Sequence, residues 1–253
     1  EAYHVSAQEI QETMTYLSHY SIYAYEEEIR QGFLTIQGGH RVGIAGKVLS
    51  DGNGIRSIRP ITFLNVRLAH EVRGCADELM PWLYEEGRPC STLILSPPGC
   101  GKTTMLRDVI RQFSNGCGQE AGRRVGVVDE RSEIAACYRG IPQNDMGIRT
   151  DVLDGCAKAF GLRWLLRAMC PGLLAMDELY GSDECLAVRE AAACGVPVLT
   201  TLHAATGREV CLRTGIEDLL AEGIFEQVIF VRERRVTCVL PAAEVLKQGC
   251  CGQ

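Results

Sequence analysis

The sequence reads Ser96-Pro97-Pro98-Gly99-Cys100-Gly101-Lys102-Thr103-Thr104 near its middle, and this stretch is its strongest indication of a fold class. An apolar run at residues 92–95 precedes it, and a helical pattern at residues 103–112 follows it. Glycines allow successive backbone N–H groups to point at one anion, and the first turn of a helix adds positive potential. The pattern therefore predicts a phosphate-binding loop between a strand and a helix.

The whole stretch is assigned to nucleotide binding, with separate tasks for its residue types. Lys102 can reach the β- and γ-phosphates, and the hydroxyl of Thr103 is a ligand for Mg²⁺. Ser96 stands where the usual motif has its first glycine, a position that mainly closes the loop. The alternative is a glycine-rich turn with a chance Gly-Lys-Thr, which the flanking strand and helix disfavour. The assigned residues are Ser96, Pro97, Pro98, Gly99, Cys100, Gly101, Lys102, Thr103 and Thr104.

Two carboxylates follow a second apolar run, at residues 173–176. A buried strand would carry Asp177 and Glu178 to the carboxyl edge of a parallel sheet, where ligands of such sheets bind. We predict that Asp177 holds Mg²⁺, directly or through water, and that Glu178 polarises the attacking water. The alternative is a pair of solvated acids that begin a loop.

Another acidic pair, Asp129-Glu130, follows the apolar run at residues 125–128. Glu130 is therefore a rival or a partner of Glu178 in orienting water. The alternative is a helix N-terminus at which Asp129 or Ser132 is the cap, because acidic residues are favoured there.

A histidine ends the run at residues 198–202, after two threonines. His203 could sense the γ-phosphate or couple hydrolysis to motion, or it could cap the next turn. Arginines are candidates for stabilising charge in phosphoryl transfer, although each alone fits a surface or salt-bridge role. Those between the acidic motifs are Arg131, Arg139 and Arg149, and those nearer the N-terminus are Arg41, Arg56, Arg59, Arg67 and Arg73.

The alternation of apolar runs and helical patterns after residue 88 predicts an α/β domain with a mostly parallel sheet and helices on both faces. Predicted strands occupy residues 92–95, 125–128, 173–176, 198–202 and 228–231, and predicted helices occupy residues 103–112, 157–168, 184–193 and 216–220. We place the domain boundary at residue 88, so that residues 1–88 form an N-terminal domain and residues 89–253 the second domain.

The N-terminal residues predict a small α+β domain with an antiparallel sheet. Ser6 and Glu9 form a capping-box pattern at the start of a helix, and a second helix is expected at residues 22–30. Gly38-Gly39 joins two alternating runs as a two-residue hairpin turn. A second turn is expected at residues 50–54, between strands at 47–49 and 55–58, and a further strand at residues 61–68.

The composition sets limits on the class of protein. The 253 residues are 46% hydrophobic and 23% charged, which is typical of a globular protein. The net charge of -6 gives no generally basic surface, so nucleic-acid binding is not expected. The 13 cysteines show no zinc-ligand spacing and fit a reducing cytoplasm. Because the chain starts with Glu1 and not Met, we expect that a segment precedes it.

The order of the motifs resembles that of the secretion-type ATPases, the hexameric RecA-like motors of type II and type IV secretion and of type IV pili. In most of them the strand before the catalytic acid ends Gly-Glu, whereas here it ends Asp177-Glu178. The resemblance implies a RecA-like P-loop core, ATP and Mg²⁺ as ligands, and a homo-oligomeric, hexameric ring. The named blocks of that family correspond to residues 96–104, Asp129-Glu130, Asp177-Glu178 and Thr201-Leu202-His203.

Other blocks are similar to one sporulation branch of this family, the stage III sporulation AA proteins. They are the stretches at residues 31–43, 129–135 and 142–153. This likeness implies a role in endospore formation, at a channel complex between mother cell and forespore. It also implies a place on the cytoplasmic face of a mother-cell membrane, with membrane channel proteins as partners.

Three functions remain open from the sequence. The first is a ring-forming motor in which hydrolysis moves the N-terminal domain against the core. The second is a nucleotide-gated structural module with little turnover. The third is a nucleic-acid translocase, which the acidic composition disfavours.

Overall fold

The computed structural model describes residues 2–51 and 54–250, apart from the side chains of Ala24, Glu27 and residues 248–250. The chain divides into two compact units. The first comprises Glu1–His70 and Ala136–Asn144, and the second comprises Glu71–Ala135 and Asp145–Gln253. The domain boundary at residue 88 stays a prediction, because such a division does not test which part folds independently.

Residues 71–89 pack within the second unit. Ala76, Leu79 and Leu83 are fully buried, and the N–H of Ala76 donates to the buried carboxylate of Asp108 at 3.0 Å. A short 3₁₀ helix at Met80–Leu83 leads into a two-stranded ladder of Tyr84–Glu85 with Arg88–Pro89.

The first unit is α+β. Its elements are α1 (Ala7–Leu17), a 3₁₀ turn (Ile22–Tyr25), α2 (Glu26–Gln31), β1 (Phe33–Ile36), β2 (His40–Asp51) and β3 (Gly54–Arg67). The three strands form an antiparallel sheet in the order β1-β2-β3. The predicted capping box at Ser6 and Glu9 is present, with the hydroxyl and the carboxylate each accepting from the other residue's N–H. Met14, Ile29, Leu34 and Val42 lie in the core beneath the sheet.

Two local predictions for this unit were wrong. Ile36 pairs with His40, so the first turn contains three residues, of which Gly38 and Gly39 have positive φ. Residues 55–58 and 61–68 were expected to form separate strands, but both belong to β3, which is held along β2 through several irregularities of register. The predicted turn at residues 50–54 includes Gly52 and Asn53, which lie outside the described residues.

The second unit contains a seven-stranded sheet. Its strands are β4 (Thr92–Ser96), β5 (Val125–Asp129), β6 (Thr150–Asp154), β7 (Leu173–Met176), β8 (Val198–His203), β9 (Gln227–Arg232) and β10 (Arg235–Pro241). Its helices are α3 (Lys102–Asn115), α4 (Lys158–Ala168), α5 (Ser182–Ala193), α6 (Gly207–Cys211), α7 (Ile216–Ala221) and α8 (Ala242–Cys250). A small ladder joins Gly116–Cys117 to Glu120–Ala121.

The strand order of this sheet is β6-β5-β7-β8-β4-β9-β10, and only the pairing of β9 with β10 is antiparallel. Neighbouring residues of the central strands, such as Leu93 and Ile94, are both fully buried, as expected of a sheet covered on both faces. The prediction of a mostly parallel α/β domain is therefore confirmed.

The two edge strands were absent from the prediction, and their position explains why. β6 is only partly buried along its length, and most of β10 is partly or fully exposed, so neither shows an apolar run. β6 runs parallel to β5 at the edge of the sheet, with Asp154 paired to Asp129, so both strands end at the same level. The helices α6 and α8 were also not predicted.

Candidate active site

The loop after β4 has the backbone of a phosphate-binding loop. Gly99 and Gly101 have φ of 76° and 87°, in the left-handed region that glycine adopts readily, and α3 begins at Lys102. Ser96 is fully buried, and its hydroxyl donates to the carbonyl of Pro97 at 3.0 Å. The serine thus forms a local bond that closes the start of the loop.

The side chain of Lys102 is mostly buried and has no polar partner among the described residues. Its side chain lines the site and only 8% of the residue is exposed. Among the described residues it makes no side-chain hydrogen bond or ion pair. An ammonium group in such a position is available to an anion, because binding would require no existing pair to be broken.

Two side chains whose oxygen atoms could be ligands of a metal ion, Thr103 and Asp177, meet beside this loop. The hydroxyl of Thr103 donates to Oδ2 of Asp177 at 3.3 Å, and the buried hydroxyl of Thr201 donates to Oδ1 of the same carboxylate at 2.8 Å. Thr200 also donates to the main-chain carbonyl of Asp177 at 3.2 Å. The carboxylate is therefore fixed by β8 and aimed at the first turn of α3, with hard oxygen ligands of the kind that Mg²⁺ prefers.

Glu178 and His203 face each other at the ends of neighbouring strands. Nε2 of His203 lies 3.8 Å from Oε2 of Glu178, and both side chains are about one-third exposed. Nδ1 of His203 is buried without a hydrogen-bond partner in the described part of the chain, while its carbonyl accepts from Arg213 at 3.3 Å. The Nε2 atom of the imidazole is thus directed at the carboxylate that is the candidate base.

A lysine that the sequence did not point to holds the acidic side of the site. Nζ of Lys158 donates to the carbonyl of Glu178 at 2.6 Å and lies 3.6 Å from Glu130 and 3.4 Å from Glu184. Glu184 in turn accepts from the N–H of Tyr180 at 2.6 Å. Lys158 thereby connects both water-activating candidates to the first turns of α4 and α5.

Lys158→Met is expected to reduce the free energy of unfolding by about 2 kcal/mol, because it leaves the largely buried Glu184 without its cation. Adding Glu184→Gln should restore part of this loss. The matched control is Arg163→Met, which removes the more exposed pair with Glu190 and should cost less than about 1 kcal/mol. Urea unfolding measures all four proteins, and equal costs for Lys158→Met and Arg163→Met would contradict the prediction.

Asp129 has a structural role in this geometry. Its carboxylate is 1% exposed and accepts from the N–H groups of Glu133, Ile134 and Ala135 at 2.8 to 3.0 Å. No helix follows among these described residues, so the helix-cap alternative was right about capping and wrong about the element that is capped. Burial raises the pKa of Asp129 to about 6, although the three N–H donors act in the opposite direction.

This pKa predicts how stability changes with pH. A carboxyl group whose pKa is higher in the folded state contributes stability that is complete below about pH 4 and is lost as the pH rises through about 6. For Asp129 the loss is at most about 3 kcal/mol. Urea unfolding of the wild type should therefore weaken more between pH 4 and 7 than that of Asp129→Asn, and parallel pH profiles would contradict the assignment.

Arg107 fixes the same loop from α3. Its guanidinium donates to the carbonyl of Ile134 at 2.6 Å and to that of Glu133 at 2.9 Å, and burial lowers its pKa. The segment that carries Glu130 is thus tied to the helix that carries Thr103.

The structure brings Lys102, both acidic motifs and His203 to one cavity of about 410 Å³, while the other residues of the loop at 96–104 do not line it. It is lined by Lys102, Asp129, Glu130, Arg131, Glu133, Lys158, Asp177, Glu178, Tyr180, Glu184 and His203. The other arginines between the acidic motifs lie elsewhere. Arg149 donates to the carbonyl of Ser114 at 3.0 Å, and Arg139 lies over the ring of Tyr138 in the first unit.

Lys158 could have been recognised as a site residue from the sequence. Lys158 follows Asp154, which ends an edge strand, so recognising β6 would have placed the lysine at the same sheet edge as the carboxylates. Arg73 was grouped with the N-terminal arginines, but it pairs with Glu71 and Asp145 in the second unit. That the remaining N-terminal arginines stabilise charge in phosphoryl transfer stays a prediction.

The chain matches a known protein family along most of its length. The family described as "Sporulation stage III, protein AA" matches residues 1–239. The chain belongs to the stage III sporulation protein AA family. A curated member, Stage III sporulation protein AA of Bacillus subtilis (strain 168), is 40% identical over 228 residues, covering 90% of this chain and 74% of that protein. The resemblance seen in the sequence is therefore confirmed.

Two solved structures share the fold of this family member. The ATPase DotB of Legionella pneumophila aligns with a TM-score of 0.60 and 16% identity, over 98% of this chain and 72% of its own. The pilus retraction motor PilT, solved with bound ADP, aligns with a TM-score of 0.53 and 15% identity, over 82% of this chain and 63% of its own. The RecA-like P-loop core is confirmed at the level of the fold.

Proposed function

We propose that this protein is a Mg²⁺-dependent ATP hydrolase that acts as a secretion-type motor in endospore formation. The observation that carries the proposal is the meeting of Thr103 and Asp177, at 3.3 Å, beside the unpaired Lys102 at the phosphate-binding loop. An unpaired ammonium group lies there beside two oxygen ligands of the kind that Mg²⁺ prefers. Both are at the edge of the sheet where parallel sheets bind their ligands. Membership of a sporulation family supports the biological setting.

The residues fit a magnesium nucleotide. Residues 96–104 would hold the phosphates through backbone N–H groups and Lys102, and Thr103 and Asp177 would hold the metal. Bound Mg²⁺ supplies charge neutralisation at the phosphate oxygens. Thr201 fixes the rotamer of Asp177 and so orients that ligand before the metal arrives.

Catalysis then depends on placing a water molecule and accepting its proton. Glu178 is the proposed base, with Glu130 as partner or rival, because each carboxylate lines the cavity that contains Lys102. The neighbouring Lys158 holds Glu130 in an ion pair, which leaves Glu178 the less strongly paired of the two. His203, 3.8 Å from Glu178, would hold that carboxylate in position and sense whether a γ-phosphate is bound at the loop.

The motor, its partners and its place in the cell are further parts of the proposal. We expect a homo-oligomeric, hexameric ring at the cytoplasmic face of a mother-cell membrane, in contact with channel proteins of the sporulation complex. Within residues 2–51 and 54–250, no helix combines the length and hydrophobicity needed to cross a bilayer. Attachment through a partner would account for a membrane location.

Steady-state ATP hydrolysis against protein concentration tests the function. Sites completed between subunits should give a specific rate that rises with concentration to a plateau, in parallel with the oligomer seen by light scattering. A flat rate with a monomeric mass would contradict the ring. Nucleotide binding and assembly without turnover would instead support the nucleotide-gated structural module.

A further inference from the structure

The turn between β9 and β10 lies against the phosphate-binding loop. Its two residues, Glu233 and Arg234, have φ of 50° and 61°, and Arg232 pairs with Arg235 across the hairpin. The N–H of Arg234 donates to the carbonyl of Cys100 at 3.1 Å. The C-terminal hairpin therefore contacts the loop at the residue before Gly101.

The side chain of Arg234 continues across the loop. A Cβ atom built on Gly101 would lie 2.5 Å from Cγ and 3.0 Å from Cδ of Arg234. The absence of a side chain at Gly101 thus gives the arginine stem its place at the N-terminus of α3. This contact requires glycine for packing as well as for its φ of 87°.

Turn geometry does not account for an arginine at this position. Two-residue hairpin loops with positive φ at both positions favour Asn, Asp and Gly. Arg234 is exposed, and among the described residues its guanidinium makes no hydrogen bond or ion pair. A second unpaired cation is therefore held beside the loop that also presents Lys102.

We propose that Arg234 is a further nucleotide-binding residue, which contacts the phosphate chain of the nucleotide held by residues 96–104. The inference rests on the proposed function and adds a ligand contact from the hairpin at the edge of the sheet. A planar guanidinium suits phosphate oxygens because it presents several donors in fixed geometry. The bond to Cys100 places the turn with the loop, so that the arginine is positioned before the nucleotide binds.

Calorimetric titration of the full chain with MgADP tests this assignment. Arg234→Met keeps an unbranched stem over Gly101 and removes the charge, so the Kd should rise about tenfold. Arg234→Lys keeps the charge and loses the planar guanidinium, so its Kd should rise by an intermediate factor of about three. Arg235→Met is the matched control, since it removes the next arginine of the same hairpin, and its Kd should stay within about twofold.

The salt dependence gives a second readout. The gap in MgADP affinity between wild type and Arg234→Met should narrow as salt rises from about 50 to about 200 mM, because salt screens an exposed charge contact. Wild-type affinity in Arg234→Met, equal losses in Arg235→Met, or a gap that salt leaves unchanged would overturn the inference alone. A wild type that does not bind MgADP, or binds it as well after Lys102→Ala, would overturn the proposed function and this inference with it.

Discussion

Replacing Lys102 with alanine is expected to reduce ATP hydrolysis at least about 100-fold, with a parallel loss of nucleotide binding. The ammonium group is the cation that the loop places for the β- and γ-phosphates. Its side chain is mostly buried and has no ion-pair partner in the described part of the chain. The other cations that line the described part of the cavity are Arg131 and Lys158, and Lys158 is already paired with Glu130 and Glu184.

The same lack of a partner predicts that Lys102→Ala folds normally. Removing the side chain breaks no hydrogen bond or ion pair, so the free energy of unfolding without nucleotide should change by less than about 1 kcal/mol. The thermal shift that MgADP produces in the wild type should disappear, because ligand stabilisation requires binding. Lys247→Ala, at an exposed site on α8, is the control and should keep both activity and thermal shift.

A variant that binds MgADP normally and hydrolyses ATP at the wild-type rate would contradict the assignment of residues 96–104. A variant that unfolds without nucleotide would instead show a structural role for Lys102. Differential scanning fluorimetry with and without MgADP separates these outcomes in one experiment.

Glu178→Gln is expected to bind MgATP within about threefold of the wild type and to hydrolyse it about 100- to 10,000-fold more slowly. The amide keeps the size of the side chain and removes the proton acceptor. Thr103, Asp177 and the phosphate loop are unchanged, so the ligand contacts remain. Single-turnover hydrolysis and equilibrium binding, measured on the same preparation, report the two effects separately.

Glu130→Gln is the comparison that decides between the two carboxylates. Glu130 lies 3.6 Å from Nζ of Lys158, whereas Glu178 faces only an imidazole at 3.8 Å among its ion-pair contacts in the described residues. The carboxylate of Glu130 is thus already engaged with an ammonium group, whereas that of Glu178 has the longer contact with an imidazole. We therefore expect a smaller loss of turnover for Glu130→Gln, and the reverse order would transfer the role of base to Glu130.

The Glu178→Gln variant also tests whether His203 acts through Glu178. If the histidine acts through Glu178, the variant His203→Ala should slow turnover more than it weakens binding, and it should add little once Glu178 is already Gln. Independent, multiplying losses would show that His203 acts on another part of the site.

Much of the architecture could be predicted because local patterns and tertiary packing agree. Residues 92–95, 125–128, 173–176 and 198–202 are mostly apolar runs without alternation, and buried parallel strands require such runs because both of their faces are covered. The glycines and Lys102 between a strand and a helix specified the loop. The polar residues that follow these strands were expected at one edge of the sheet, because parallel strands end on the same side.

The failures occurred where burial is partial. β6 and β10 lie at the two edges of the sheet, so their sequences carry exposed polar residues and no continuous apolar run. In the first unit, Pro60 lies between the two runs that were predicted as separate strands, yet pairing with β2 continues on both sides of it. Edge strands tolerate proline, since one side of their backbone has no partner strand.

The loop chemistry, the alternating α/β order and the carboxylates at the strand ends could all be predicted from the sequence, because each depends on residues close together in the chain. Which distant groups meet became known from the folded structure. It placed Lys158 among Glu130, Glu178 and Glu184, and it brought Arg234 over Gly101. Such contacts depend on strand order and on the position of edge hairpins, and no local spacing encodes the distance between residues 101 and 234.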